Sequence, residues 1–211
     1  MFKLAGRDTG AAYTMRKEQR AQGVLPNWMV YIAVENADQS VAKAAQAGGT
    51  VLTPAFDVME MGRMAIIQDP TGANFSLWQP KNHPGTTIGE VDNTFCWADL
   101  STPNPERAGK FYSELFGWQL MKDEKDPSGY IHIKNGENFI GGIPPATHRN
   151  PNAPPHWLVY FQAADVEGAT GKAAQLGGKV LMPARKMENV GTRAIVADPQ
   201  GAVFSLFKSA R

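Results

Sequence analysis

Apolar residues along this chain fall into short runs, and the runs recur in one order. Residues 28–34 are bulky and apolar, which predicts a strand. Val41, Ala44 and Ala45 follow at the spacing of one helical face, behind Asn36 as N-cap and ahead of Gly48-Gly49 as a left-handed stop. Val51-Leu52 predicts a short strand closed by Pro54, and residues 63–68 predict another. Asp69-Pro70-Thr71-Gly72 has the residues of a type I turn, and residues 75–78 make the last strand. The order is β-α-β-β-β.

The same unit returns later. Trp28-Met29-Val30-Tyr31 reappears as Trp157-Leu158-Val159-Tyr160, and Asp69-Pro70-Thr71-Gly72 as Asp198-Pro199-Gln200-Gly201, at a constant offset of 129 residues. Over positions 27–78 roughly 23 of 52 residues are identical without a gap, so a whole domain has been duplicated. A cousin of the unit precedes the second copy. Residues 94–100 predict its first strand, and Asn104-Pro105-Glu106 opens a helix with Ala108, Phe111, Tyr112 and Leu115 on its buried stripe. Gly117 ends that helix, and residues 118–121, 130–134 and 138–143 predict the strands after it. The expected organisation is a partial unit over 1–80, a linker over 81–92 and a complete pair of units over 93–211. On the 129-residue offset Met1 corresponds to Tyr130, so the counterpart of residues 94–129, about 36 residues, is missing from the first copy. The open side left there is expected to be covered in a homodimer.

Composition narrows the function. Hydrophobic residues make up 43% of the chain, enough for one large core or two small ones. Net charge is +1, and the longest charged run, 122–126, mixes signs, so no basic face for nucleic acid is expected. No run of about 18 apolar residues exists to span a membrane. Lys3, Arg7 and Asp8 interrupt any signal-peptide core, and the lone Cys96 fits a reducing compartment, so the expected location is the cytoplasm.

Tandem βαβββ units with Phe111-Tyr112-x-x-Leu115-Phe116-Gly117-Trp118, and the closing Asp-Pro-x-Gly-x-x-Phe-x-Leu found twice, resemble the vicinal oxygen chelate superfamily of glyoxalases, bleomycin-resistance proteins and dioxygenases. The resemblance implies an α+β fold in which paired units curve into half-barrel sheets. It also implies, in catalytic members, a divalent metal held by His, Gln or Glu on the first and last strands of each unit. Here those positions fall on Leu158, Met29, Trp97, Ser205, Ser76 and the stretch Ile140-Gly141-Gly142, none a metal ligand of that kind. No cofactor is therefore expected. A displaced site would have to use His156, His132 or Asp99.

The remaining candidates describe a cleft. Strand alternation puts Met29, Tyr31, Leu158 and Tyr160 on the concave side, and His132 joins them if Ile131 and Ile133 face the helix. Arg63 sits where it could hold a carboxylate or phosphate in two-pronged fashion, or be a solvated hairpin arginine. With Trp97, His156 and Ser205 these residues outline a groove for a small apolar or aromatic ligand, or plain core packing. Three readings follow: a binding protein of this superfamily without the usual metal centre; a metal-dependent glyoxalase-like lyase or isomerase, or an extradiol dioxygenase; and a partial domain that serves as a dimerisation surface.

Overall fold

Asn36, Asn104 and Asp165 each begin a helix in the same way. Their side-chain oxygens accept from the backbone N–H groups of Gln39, Arg107 and Gly168 at 2.9, 2.9 and 3.0 Å, satisfying donors that the first turn cannot pair. These caps fix the chain entry of α2 (Ala37–Gln46), α3 (Pro105–Phe116) and α4 (Val166–Gln175). Gly117, at φ 73°, closes α3 in the left-handed conformation, as the sequence predicts. The computed structural model describes residues 1–21, 23–122 and 126–210, so most of the mixed charged run lies outside the described residues.

Among the described residues the remaining elements are α1 (Lys17–Ala21), a single 3-10 turn over Ala146–His148 and fourteen strands. The strands are β1 (Phe2–Leu4), β2 (Arg7–Gly10), β3 (Tyr31–Ala33), β4 (Thr50–Val58), β5 (Gly62–Gln68), β6 (Asn74–Pro80), β7 (Phe95–Ser101), β8 (Gln119–Lys122), β9 (Ile131–Asn135), β10 (Asn138–Ile143), β11 (His156–Gln162), β12 (Lys179–Met187), β13 (Gly191–Ala197) and β14 (Val203–Ser209). The chain divides into two compact units that interleave along the sequence. One comprises Met1–Trp28, Thr86–Trp97 and Leu158–Arg211, the other Met29–Gly85 and Ala98–Trp157. No helix among the described residues is long and apolar enough to cross a membrane.

In the unit holding Met29–Gly85, one sheet runs in the order β3-β6-β5-β4, with β3 parallel to β6 and the other pairs antiparallel. A further set of strands, β10-β9-β8, carries the later part of β7 beside β10. Its core is aromatic. Phe75 on β6 is fully buried, its ring 6.1 Å from Phe111 and 5.5 Å from Tyr112 of α3. Tyr112 in turn stacks on Trp118 at 5.5 Å and meets Trp157 edge-on at 5.4 Å.

In the other unit the order is β12-β13-β14-β11. The α4 helix lies over that sheet around Ala163, Val166, Ala194, Val196 and Leu206. Trp28 packs here too, 4.9 Å from Phe161 and 6.0 Å from Phe204. β1 and β2 pair as an antiparallel hairpin, tied to residue 87 by Thr87 N–H to Asp8 carbonyl at 3.0 Å.

Two expected strands differ. The one predicted over 28–34 shortens to β3, leaving Trp28 outside it as a packing residue. The one predicted to stop at Pro54 continues to Val58. Its register shifts twice around that proline, and β4 is the edge of its sheet, so the missing N–H costs no interior ladder bond.

Candidate functional site

The sheet face opposite α3 carries a row of side chains set by strand pairing. Gly142 on β10 pairs with Asp99 on β7 and with His132 on β9, and His132 pairs with Met121 on β8. Ile133 is buried, so the alternation puts His132 and Tyr130 on the opposite face from it. The glycine is required. A Cβ at Gly142 would collide with the Tyr130 phenol, whose ring lies in the notch that the glycine leaves. From there the Tyr130 hydroxyl donates to the Asp99 carboxylate at 2.5 Å. Asp99 is only 3% exposed, and a buried carboxylate needs such a donor.

Around this pair lie an imidazole and apolar surface. His132 sits edge-on to Tyr130 at 4.9 Å and to Phe139 at 5.3 Å. Phe139 and Met121 are about half exposed, and the Lys134 ammonium lies 5.4 Å from the Phe139 ring centre. The arrangement is a hydrogen-bonding pair, Asp99 and Tyr130, in a partly apolar surround.

The other unit carries a second polar–aromatic pair. The Arg193 guanidinium donates to the Tyr160 hydroxyl at 2.7 Å, and Phe207 lies edge-on to Tyr160 at 6.1 Å. Tyr160 is 3% exposed and pairs with Ser205, whose hydroxyl donates to the Ala194 carbonyl at 2.9 Å. Leu158 is half-buried there, as is Trp97. Cys96 lies in this unit with its thiol 3.6 Å from the Tyr160 carbonyl. Burial first, and the Glu90 carboxylate second, push it up to about 12.

The other residues expected from the sequence are dispersed. Tyr31 is half exposed and edge-on to Trp78 at 6.3 Å, and Met29 is half-buried just before β3. Arg63 is held by carboxylates, with Asp38 at 2.8 Å and Asp57 at 3.4 Å; its hydrogen bond lowers the Asp38 carboxyl from the ordinary value, while the Asp57 carboxyl is lowered first by the Lys81 ammonium at 2.9 Å and then by Arg63. The His156 Nδ1 lies 2.8 Å from the Pro154 carbonyl. An open depression lined by Ala33, Val34, Glu35, Gln79 and Pro80 offers one carboxylate and no aromatic ring.

A metal centre of the kind the resemblance implies does not fit these residues. The Ser205 hydroxyl is turned onto the backbone, and the Gly142 position carries no side chain. Among the described residues no three of His, Cys, Asp or Glu gather where a metal ion could be held, Asp99, His132 and His156 included. Tyr130 escapes an inventory of titratable motifs. The signal that points to it is Gly141-Gly142 inside a strand, a pattern that marks close approach of another group.

Comparison with known proteins agrees with this architecture. The family described as the Glyoxalase/Bleomycin resistance protein/Dioxygenase superfamily matches residues 94–206. CFP32 of Mycobacterium bovis, named as a glyoxylase, is 39% identical over 192 residues, covering 90% of this chain and 72% of that protein. The anthracycline biosynthesis protein DnrV of Streptomyces peucetius is 31% identical over 183 residues, covering 85% of this chain and 64% of its own length. Among solved structures, the 2,3-dioxygenase LapB from Pseudomonas sp. KL28 superimposes with a TM-score of 0.56 at 18% identity, covering 81% of this chain and 66% of that one. The Mn(II)-bound glyoxalase from Novosphingobium aromaticivorans does so with a TM-score of 0.56 at 18% identity, covering 84% and 61%. At such identities the two structures speak for the fold alone.

Proposed function

The chain belongs to the glyoxalase/bleomycin resistance protein/dioxygenase superfamily, and on that footing we propose that it binds a planar aromatic molecule bearing a hydroxyl or carbonyl group, without the metal centre of its catalytic relatives. The Asp99–Tyr130 pair carries the reading. Its phenol and carboxylate would anchor the polar edge of the ligand, while Phe139 and Met121 take the flat apolar part. His132 edges both Tyr130 and Phe139 and would orient the ring. The relative named for anthracycline biosynthesis supports an aromatic ligand class. The protein would act in the cytoplasm.

The test is an equilibrium titration of the purified protein with an anthracycline, followed by the fluorescence of the probe. Saturable binding is expected, weakened about tenfold by Tyr130→Phe, since one hydrogen bond to a charged group is lost. Equal affinity in that variant, or no saturation, overturns the proposal. A parallel titration with Ni, Zn, Fe and Mn addresses the enzymatic alternative. Stoichiometric metal binding abolished by His156→Ala would establish a displaced metal site and a lyase or dioxygenase role.

A further inference from the structure

The two copies of the repeat form the same sheet but fill one row of it differently. Across β4, β5 and β6, Phe56 pairs with Met64 and Met64 with Trp78, an apolar row. The positions 129 residues later are Arg185, Arg193 and Phe207. They keep the register: Arg185 pairs with Arg193, and Arg193 with Phe207, across β12, β13 and β14. The fold therefore does not require arginine at either place. Two cationic side chains on directly opposed residues repel, and a like-charge pair so placed costs stability.

Packing decides which way the row faces. Ala184, Ala194 and Leu206, each next in sequence to a member of the row, pack into the core beneath α4. Successive side chains on a strand point to opposite faces, so Arg185, Arg193 and Phe207 share the face away from α4. Tyr160 joins them, because its neighbour Phe161 packs into that same core. The Arg193 Nη1 donates to the Tyr160 hydroxyl at 2.7 Å, with Arg193 Cζ 5.8 Å from the ring centre, and Phe207 stands edge-on to that ring at 6.1 Å. The phenol thus fixes the half-buried guanidinium of Arg193. Arg185 is exposed on the edge strand β12 and forms no ion pair among the described residues.

We infer that this row is a binding site for a small aromatic acid. Opposed residues on neighbouring antiparallel strands have Cβ atoms about 5 Å apart, so two long side chains can close on one carboxylate. Arg193, held ready by Tyr160, takes one side of the anion, and Arg185 closes on it from the sheet edge. A guanidinium presents parallel N–H donors that match the two carboxylate oxygens, and the anion offsets the repulsion between the arginines. The ring of the acid rests against Phe207 in edge-on or offset contact. The site lies in the unit that does not hold Asp99 and Tyr130, and it does not rest on the ligand proposed for that pair.

The experiment is a calorimetric titration of the full chain with benzoate at neutral pH and low salt. Saturable 1:1 binding is expected, with benzamide, a neutral analogue of the same shape, about tenfold weaker or more. Arg185→Met and Arg193→Met should each weaken benzoate about tenfold, the loss of hydrogen bonds to a charged group. Methionine already fills the position of Arg193 in the other copy, as Met64. Without benzoate, Arg185→Met should unfold at the same urea concentration as the parent or a higher one, which separates a lost site from a lost fold. Lys186→Met removes a neighbouring charge from the opposite face and should leave the affinity unchanged. No saturation, equal binding of benzoate and benzamide, or full affinity in Arg185→Met overturns the inference. So does equal weakening by Lys186→Met, the mark of a diffuse attraction. Inorganic phosphate binding as tightly as benzoate also overturns it, since the ring and Phe207 would then have no part.

Discussion

The two faces that share a sequence do not share a burial. Around Phe75, Ala44 and Asp69, the turn, helix and strand are sealed by α3. Around Phe204, Ala173 and Asp198, the same turn, helix and strand form, but all three residues remain partly accessible. The local geometry is therefore written into each copy: the caps of Asn36 and Asp165 and the turns of Asp69 and Asp198 form with or without a covering helix. What the cover supplies is desolvation of an already formed face, and stability should follow it. The largest test is a matched pair of truncations. Phe75→Ala should cost about 3–5 kcal/mol by urea unfolding, the usual range for a fully buried phenylalanine. Phe204→Ala should cost about half as much, because less of its surface leaves water on folding. Equal losses would mean that the α4 face is as well packed as its twin, and the comparison would fail.

A smaller effect isolates the polar centre. Tyr112→Phe keeps the stacked ring but leaves the buried Asp69 carboxylate and Trp157 N–H without their shared partner. It should cost about 1–3 kcal/mol. The pH dependence has a definite sign. Burial, and then the Asp69 carboxylate, hold the Tyr112 phenol well above its ordinary value of 10.0. A folded-state value raised above the unfolded one leaves the contribution intact below about pH 10, and it is lost as pH rises toward the folded value. Unfolding curves collected from pH 9 to 12 should lose stability less steeply in Tyr112→Phe than in the parent. Parallel curves would place the phenol in contact with water.

The local structure of both copies is legible in the sequence. Hydrophobic spacing, Asn and Asp caps and the Asp-Pro-x-Gly turn are local signals, and the helices and strands they predict are present. The pairing of Asp99, Gly142 and His132 in one row was not legible, because it depends on a parallel register between β7 and β10, strands some 40 residues apart. Nor was the role of Tyr112. Its position on the buried stripe of α3 shows that it is covered, but not that its hydroxyl meets Asp69. Pro54 misled for the opposite reason: a strong local breaker was overruled by its place on an edge strand with two register shifts.

The smallest expected effect decides whether the openness of the α4 face is local or belongs to its whole unit. Cys96 lies in that unit, on β7, with its thiol against the Tyr160 carbonyl on β11. If the entire unit were loosely packed, this thiol would react readily at neutral pH. Burial instead raises it from an ordinary 9.0 to about 12, so thiolate, the reactive form, is scarce. Reaction with a thiol-specific disulfide reagent at pH 8 should be slow in the native protein and fast in urea. The associated stability is full below about pH 9 and is lost as pH rises toward 12, so Cys96→Ala should flatten the unfolding midpoint across that window. Slow labelling together with a low cost for Phe204→Ala would confine the unfinished packing to the helix face, where Trp28 and Asp198 lie. Fast native labelling would extend it to the sheet.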